Sequence, residues 1–142
     1  MKTVSSITLR QTSLLLTICI CLSCFSPVTQ ATRNSNYISS YSAAPYAAGN
    51  GKVTIYFDIT GTAKMDKIGS TLISIYENGL FVKSYSSTST PSMIADDTNF
   101  HCSSVTYSGV AGRSHYAVVK LYAGKNGGGD SRTYTTKTIT AT

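Results

Sequence analysis

The stretch HCSSVTYSGVAGRSHYAVVKLYAG, residues 101–124, holds both histidines of the chain and its only cysteine beyond residue 24. Cys102 with His101 or His115 is therefore the one nucleophile–base pairing on offer. Such a pair works when the imidazole lies within hydrogen-bond reach of the thiol and a third group orients it. His101 is a poor partner, because neighbours on a strand point to opposite faces. His115 falls on the next strand, which in a two-sheet arrangement belongs to the opposite sheet. A core-facing His115 suits a structural task better, tying a corner to backbone just upstream, as a tyrosine hydroxyl does in many sandwiches. Two histidines and one cysteine, with 13 residues from Cys102 to His115, match no zinc spacing. Asp96, Asp97 and His101 in DDTNFH could hold a surface cation, but loop carboxylates are ordinarily just solvated. The glycines of GKNGGGDS (124–131) do not sit between a strand and a helix, so a phosphate cradle fails on context. They read as positive-φ positions in a mobile loop. No catalytic residue, cofactor site or metal site follows from these residues.

The elements that must carry them are strands. In KVTIYFDIT, Val53, Ile55, Phe57 and Ile59 alternate with Thr54, Tyr56, Asp58 and Thr60, the pattern of a strand with one face on a core. GTAKMDKIG (61–69) reads as a polar loop between two glycines. STLISIYENGLFVKSYS reads as a hairpin, with Asn78-Gly79 as a two-residue type I′ turn. SSTSTPSMIADDTN, broken by Pro91, is a crossing loop. FHCSSVTY is a strand of unsettled facing, since Phe100/Cys102 and His101/Val105/Tyr107 both have claims to the inside. SHYAVVKLYA is the clearest strand. Lys120 would be costly inside, so His115, Ala117, Val119, Leu121 and Ala123 face the core. RTYTTKTITAT is the last strand. No apolar pattern of helical period and length appears. Six to seven short strands with turn signals every 8–12 residues predict an all-β domain, a single antiparallel β-sandwich of immunoglobulin-like or fibronectin-III-like type. A small closed barrel is the competitor.

Ahead of the strands, Lys2 and Arg10 lead into the apolar LLLTICICLSCF (14–25). Pro27 and the small residues Thr29 and Ala31 then mark a cleavage site, so residues 1–31 read as a secretory signal peptide. The alternative is lipid attachment at Cys24. Residues 32–51 are a Ser/Ala/Tyr-rich leader or a loose edge strand, tolerant of Pro45 only at an edge, and 52–142 is the β-domain. Cys19, Cys21 and Cys24 leave with the signal. Cys102 then has no intramolecular partner, and an unpaired thiol in an exported protein points to intermolecular pairing. Counted from Thr32, ten Lys/Arg oppose six Asp/Glu. The positive charges are scattered, without the clustered footprint of a nucleic-acid binder, and no segment of the mature chain suits stable membrane insertion. The expected product is secreted and extracellular.

All ten tyrosines follow residue 31. Tyr116 and Tyr122, with Tyr56, Tyr76, Tyr85 or Tyr134 on neighbouring strands, could form an aromatic surface, since a phenol offers an apolar ring and a polar tip. Such residues also simply stabilise sheets. MDKIG (65–69), SIYENG (74–79), YSGVAGRSHYAVVKLYAG (107–124) and GGGDSRTYTT (127–136) together resemble a family of small secreted bacterial proteins known only as a domain of unknown function. The resemblance runs from about Lys52 to the C-terminus. It implies an exported immunoglobulin-like sandwich and supplies no activity, so no catalytic residue is carried over; His115 stands where that pattern has tyrosine. The expected function is a non-enzymatic binding or surface-interaction module, working through exposed tyrosines and the loops at 61–69 and 124–131. Its partner would be a protein or glycan on a cell surface. The alternative is a small bacteriocin-like or toxin-like effector acting on envelopes or membranes.

Overall fold

The computed structural model describes residues 34–142; the stretch 1–31 read as a signal peptide, Cys24 within it and the first residues of the expected leader lie outside the described residues. Seven strands follow: β1 (Ile38–Gly49), β2 (Lys52–Glu77), β3 (Leu80–Ser86), β4 (Ile94–Ser108), β5 (Ser114–Lys125), β6 (Gly128–Thr135) and β7 (Ile139–Thr140), with one 3-10 turn at Pro91–Met93. All pairings are antiparallel and all belong to one sheet. The chain is all-β, as the alternation implies. Hydrogen bonding draws a single sheet curled into a half-barrel rather than two separate sheets.

The organising element is β2. Its first half lies between β1 and β4, pairing Ile55 with Pro45 on one side and Val105 on the other. Its second half lies between β5 and β3, with Ile73 paired to Val119 and Tyr85. Between the halves β2 exchanges neighbours. Three extra residues bulge out against β4 between Thr60 and Met65, and another interrupts pairing with β5 between Ser70 and Leu72. Bulges of this kind bend and twist a strand, so the inward faces of both halves are brought onto one core. That core contains Val53, Ile55, Phe57 and Ile59 from the first half. Met65, Ile68, Ile73 and Ile75 come from the second, with Val105, Ala117, Val119 and Leu121 from β4 and β5.

The expectation of a loop over 61–69 is therefore corrected. These residues continue β2, and Met65 and Ile68 are buried within a stretch whose overall composition is polar. The crossing segment is also shorter than expected, because β4 begins at Ile94 and the preceding turn sends Met93 into the core. At this point two backbones touch. Gly69 has φ +150°, and a Cβ there would stand 2.1 Å from the carbonyl oxygen of Met93.

The chain reverses on three Asn-Gly pairs, each with both residues at positive φ: Asn50-Gly51, Asn78-Gly79 and Asn126-Gly127. This is the backbone of the type I′ hairpin turn. The third pair corrects the mobile glycine loop expected at 124–131, since Gly128 and Gly129 already belong to β6. The leader resolves as the edge strand β1 from Ile38 onward, with Pro45 on a strand that pairs on only one side. On β4, His101, Val105 and Tyr107 lie opposite the inward Ile59, Ile55 and Val53, whereas Cys102 lies opposite Asp58. The facing of β4 is thereby settled.

Gly69→Ala should destabilise the fold by clearly more than Gly79→Ala. The latter faces open space and costs only the positive-φ penalty, about 1–2 kcal/mol. Urea unfolding of both variants checks this; equal midpoints would contradict the backbone contact at Met93.

Candidate functional site

His115 is fully buried and lies where the alternation of β5 puts it. Its Nδ1 is 3.0 Å from the Arg113 carbonyl oxygen and its Nε2 2.9 Å from Glu77 Oε2. The Nδ1 contact requires an N–H donor, and it ties the ring to backbone two residues upstream, the corner role expected of it. The contact between Nε2 and the carboxyl oxygen of Glu77 likewise needs a proton between the two atoms. Glu77 is the last residue of β2, immediately before the Asn78-Gly79 turn. Its other oxygen accepts from Arg113 Nη1 at 2.6 Å, and Oε2 also receives the Val110 N–H at 3.3 Å. Gly109 lies against this cluster, where a Cβ would come within 2.6 Å of His115 Nε2. The arrangement closes one end of the half-barrel. β7 pairs with Ser114 and His115, and Ala141 exchanges backbone hydrogen bonds with Gly112 and Arg113.

Chemically, this cluster has a base, an acid and a cation but no nucleophile. Cys102 is exposed on the outward face beside Asp58, while His115 is enclosed by its own partners. The thiol is open to solvent, as an intermolecular disulfide would require. His101 packs its ring against Phe57 at 5.9 Å, with Nε2 2.9 Å from the Ser92 carbonyl oxygen, so it fastens the 3-10 turn to β4. Among the described residues no cysteine–imidazole contact occurs, and no three His, Cys, Asp or Glu side chains cluster as metal ligands. Asp96 and Asp97 pair instead with Lys67 (3.3 Å) and Lys64 (2.7 Å).

The six tyrosines considered as a surface divide by facing. Tyr76 and Tyr116, a cross-strand pair, stack outward with centroids 4.8 Å apart and planes 2° from parallel; Phe81 meets Tyr76 edge-on at 5.9 Å. Tyr122 is outward at the other end of β5. Tyr56 is outward on the first half of β2, edge-on to Tyr46 at 5.3 Å beside an open cleft of about 390 Å³. Tyr85 and Tyr134 face the other way, opposite Ile73 and Val119, and pack on the core. The reason for Tyr85 is local. β3 carries a bulge at Val82, between Phe81 (opposite Tyr76) and Lys83 (opposite Ile75), which reverses the alternation after Phe81. The Tyr85 hydroxyl then donates to the Thr106 carbonyl at 2.7 Å.

Sequence reasoning missed Glu77, Tyr46 and the hairpin residues Leu80–Val82. Glu77 had a signal: it continues the inward alternation of Ile73 and Ile75 directly before a hairpin turn, where a carboxylate needs a partner. Leu80, Phe81 and Val82 had one too, as three consecutive apolar residues after that turn. Compared with protein-family models and with curated proteins, the chain matches neither. Among the described residues no helix is long and apolar enough to cross a membrane.

The Arg113 guanidinium holds the Glu77 carboxyl below the usual glutamate range against the opposing effect of burial, helped by His115 and the Val110 N–H. A carboxyl whose folded pKa is depressed contributes stability above its unfolded value, about 4.3, and loses it as pH falls through the folded value. The urea midpoint of the wild type should therefore fall more steeply below about pH 4.3 than that of Glu77→Gln. Parallel curves would show that the cluster is not coupled to folding.

Proposed function

We propose that this protein is an exported, non-catalytic module that binds a component of a cell surface through the outward aromatic face of β3, the second half of β2 and β5. One observation carries the reading. Phe81, 58% exposed, shares the outward face with the Tyr76–Tyr116 stack, and its neighbour Leu80, paired with Glu77 and 72% exposed, carries the apolar surface around the rim of the hairpin. Both side chains stand clear of the core, so they gain little by folding. A run of exposed apolar residues on a soluble domain marks an interaction site. Aromatic rings at its centre supply contact area with little side-chain entropy to lose.

Several features support the rest of the proposal. The apolar N-terminal stretch with its small-residue cleavage pattern favours secretion. The resemblance to small secreted bacterial proteins favours the same compartment and an immunoglobulin-like role, in which a β-framework presents its surface to a partner. The pairing of His115 with Glu77 and the outward position of Cys102 favour a binding role over an enzymatic one.

Labelled wild-type protein should be retained on at least one surface extract or glycan array. The double variant Leu80→Ser/Phe81→Ser should lose that retention at least tenfold. Its unfolding midpoint should stay near the wild-type value, because exposed substitutions usually change stability by no more than about 0.5 kcal/mol. Equal retention of the variant would contradict the proposal.

A further inference from the structure

The far end of the same outward face carries a second and chemically different feature. Tyr122 does not stand up from β5. A Cβ added to Gly124 would lie 2.1 Å from its phenol oxygen, and one added to Gly129 would lie 2.6 Å from that oxygen and 2.8 Å from two ring carbons. Gly124 and Gly129 are cross-strand partners. The ring is thus laid over two adjacent backbones, which only glycine at both positions permits, with one π-face against the sheet. Tyr122 also lines a groove of about 350 Å³, whose other walls are polar at Thr71, Ser87, Thr88, Lys67 and Asp96 and apolar at Pro91 and Ile94. A volume of that size lies near the lower end of small-ligand sites, roughly 300–1,000 Å³.

The chemistry around the ring is mixed. The Thr71 hydroxyl donates to the Lys120 carbonyl at 3.3 Å, which leaves its oxygen as an acceptor toward the groove. Asp96 accepts from Lys67 at 3.3 Å through one oxygen, and a carboxylate has further lone pairs. Ser87 and Thr88 add hydroxyls that both donate and accept. The pair of opposite charges leaves little net field, so neither a polyanion nor a cation is favoured. An aromatic platform, an apolar wall at Pro91 and Ile94, and both donors and acceptors among the remaining side chains match one common class of molecule: a pyranose, whose axial C–H groups form an apolar face and whose equatorial hydroxyls need partners of both kinds.

We propose that the Tyr122 groove binds a neutral hexopyranose unit of a surface glycan, with Tyr122 stacking on the sugar and Asp96 and Thr71 accepting from its hydroxyls. The proposal rests on the surface-binding reading above and names its partner's class. The glycines at 124 and 129 acquire a reason beyond turn formation: they let the ring lie down.

The test is ligand-observed saturation-transfer NMR with the purified protein and a panel of hexose and N-acetylhexosamine mono- and disaccharides, with adenosine as a flat aromatic control. The chain has no tryptophan, so quenching of tyrosine emission provides a second readout. At least one saccharide should bind at millimolar or lower concentration. Affinity should fall at least tenfold in Tyr122→Leu and measurably in Asp96→Asn, and persist in Tyr122→Phe. Because Tyr122→Leu uncovers two glycines, Asp96→Asn, at an exposed site, keeps the test independent of folding. Leu80→Ser/Phe81→Ser should bind saccharide normally. Absence of binding across the panel, binding of adenosine in preference to every sugar, or binding unaffected by both Tyr122→Leu and Asp96→Asn would each overturn the proposal. Retention on surface extracts that survives such a failure would leave the general binding reading standing without it.

Discussion

One strand has to serve two halves of a core. β2 hydrogen-bonds to β1, β3, β4 and β5, and only β6 and β7 are attached through another strand. Its inward side chains must therefore be aliphatic on both sides of a bend, and the bend must not break the ladder. The two irregularities near Gly61–Met65 and Ser70–Leu72 meet that requirement by adding residues rather than by ending the strand. Burial of a side chain such as Ile55 or Ile75 contributes roughly 1.5–3 kcal/mol, and eight such positions lie along β2. Cohesion of the fold is concentrated there.

A core filled from the concave face leaves the outward face free of folding duties. That division explains why the outward face can carry Tyr76, Tyr116, Phe81 and Tyr122, whereas its edges are blunted in different ways. β1 carries Pro45, β3 carries Lys83, which lies over Tyr85 with 5.1 Å from Nζ to the ring centroid, and β4 is capped at Thr106 by the Tyr85 hydroxyl. Charged and proline-bearing edges resist pairing with other chains. Strand addition is thereby disfavoured, which leaves the face and the β2–β3 hairpin for the binding proposed above. The cluster of buried Glu77 and His115 with the exposed Arg113 belongs to the same logic. It fastens the last residue of β2 to the start of β5, which fixes the hairpin that presents Leu80 and Phe81.

Much of this was legible where the side-chain period is clean. KVTIYFDIT and SHYAVVKLYA show their inward faces directly, and the antiparallel all-β class follows from them. The Asn78-Gly79 turn was equally plain, yet the same dipeptide at 50–51 and 126–127 carried the other two hairpins and was obscured by neighbouring glycines. The stretch 61–69 misled because bulges suspend the alternation: Met65 and Ile68 are inward, but three residues apart and set among Lys, Asp and Thr. Tyr85 faced inward for the same cause, a single extra residue at Val82. Gly128 and Gly129 look like loop residues until Tyr37 and Tyr122 are seen lying over them. Long-range contact, not local propensity, decided each of these cases.

Amide hydrogen exchange at Lys67, Ile68 and Gly69 tests the central role of β2 most directly, because these residues pair with β4 on one side and β5 on the other. The account predicts exchange slowed by several orders of magnitude, to the level of Ile55 and Ile73, as in segments that open only with global unfolding. Exchange as fast as that of the exposed turn at residues 87–89 would mean that the strand is interrupted there and that the core is not organised around it.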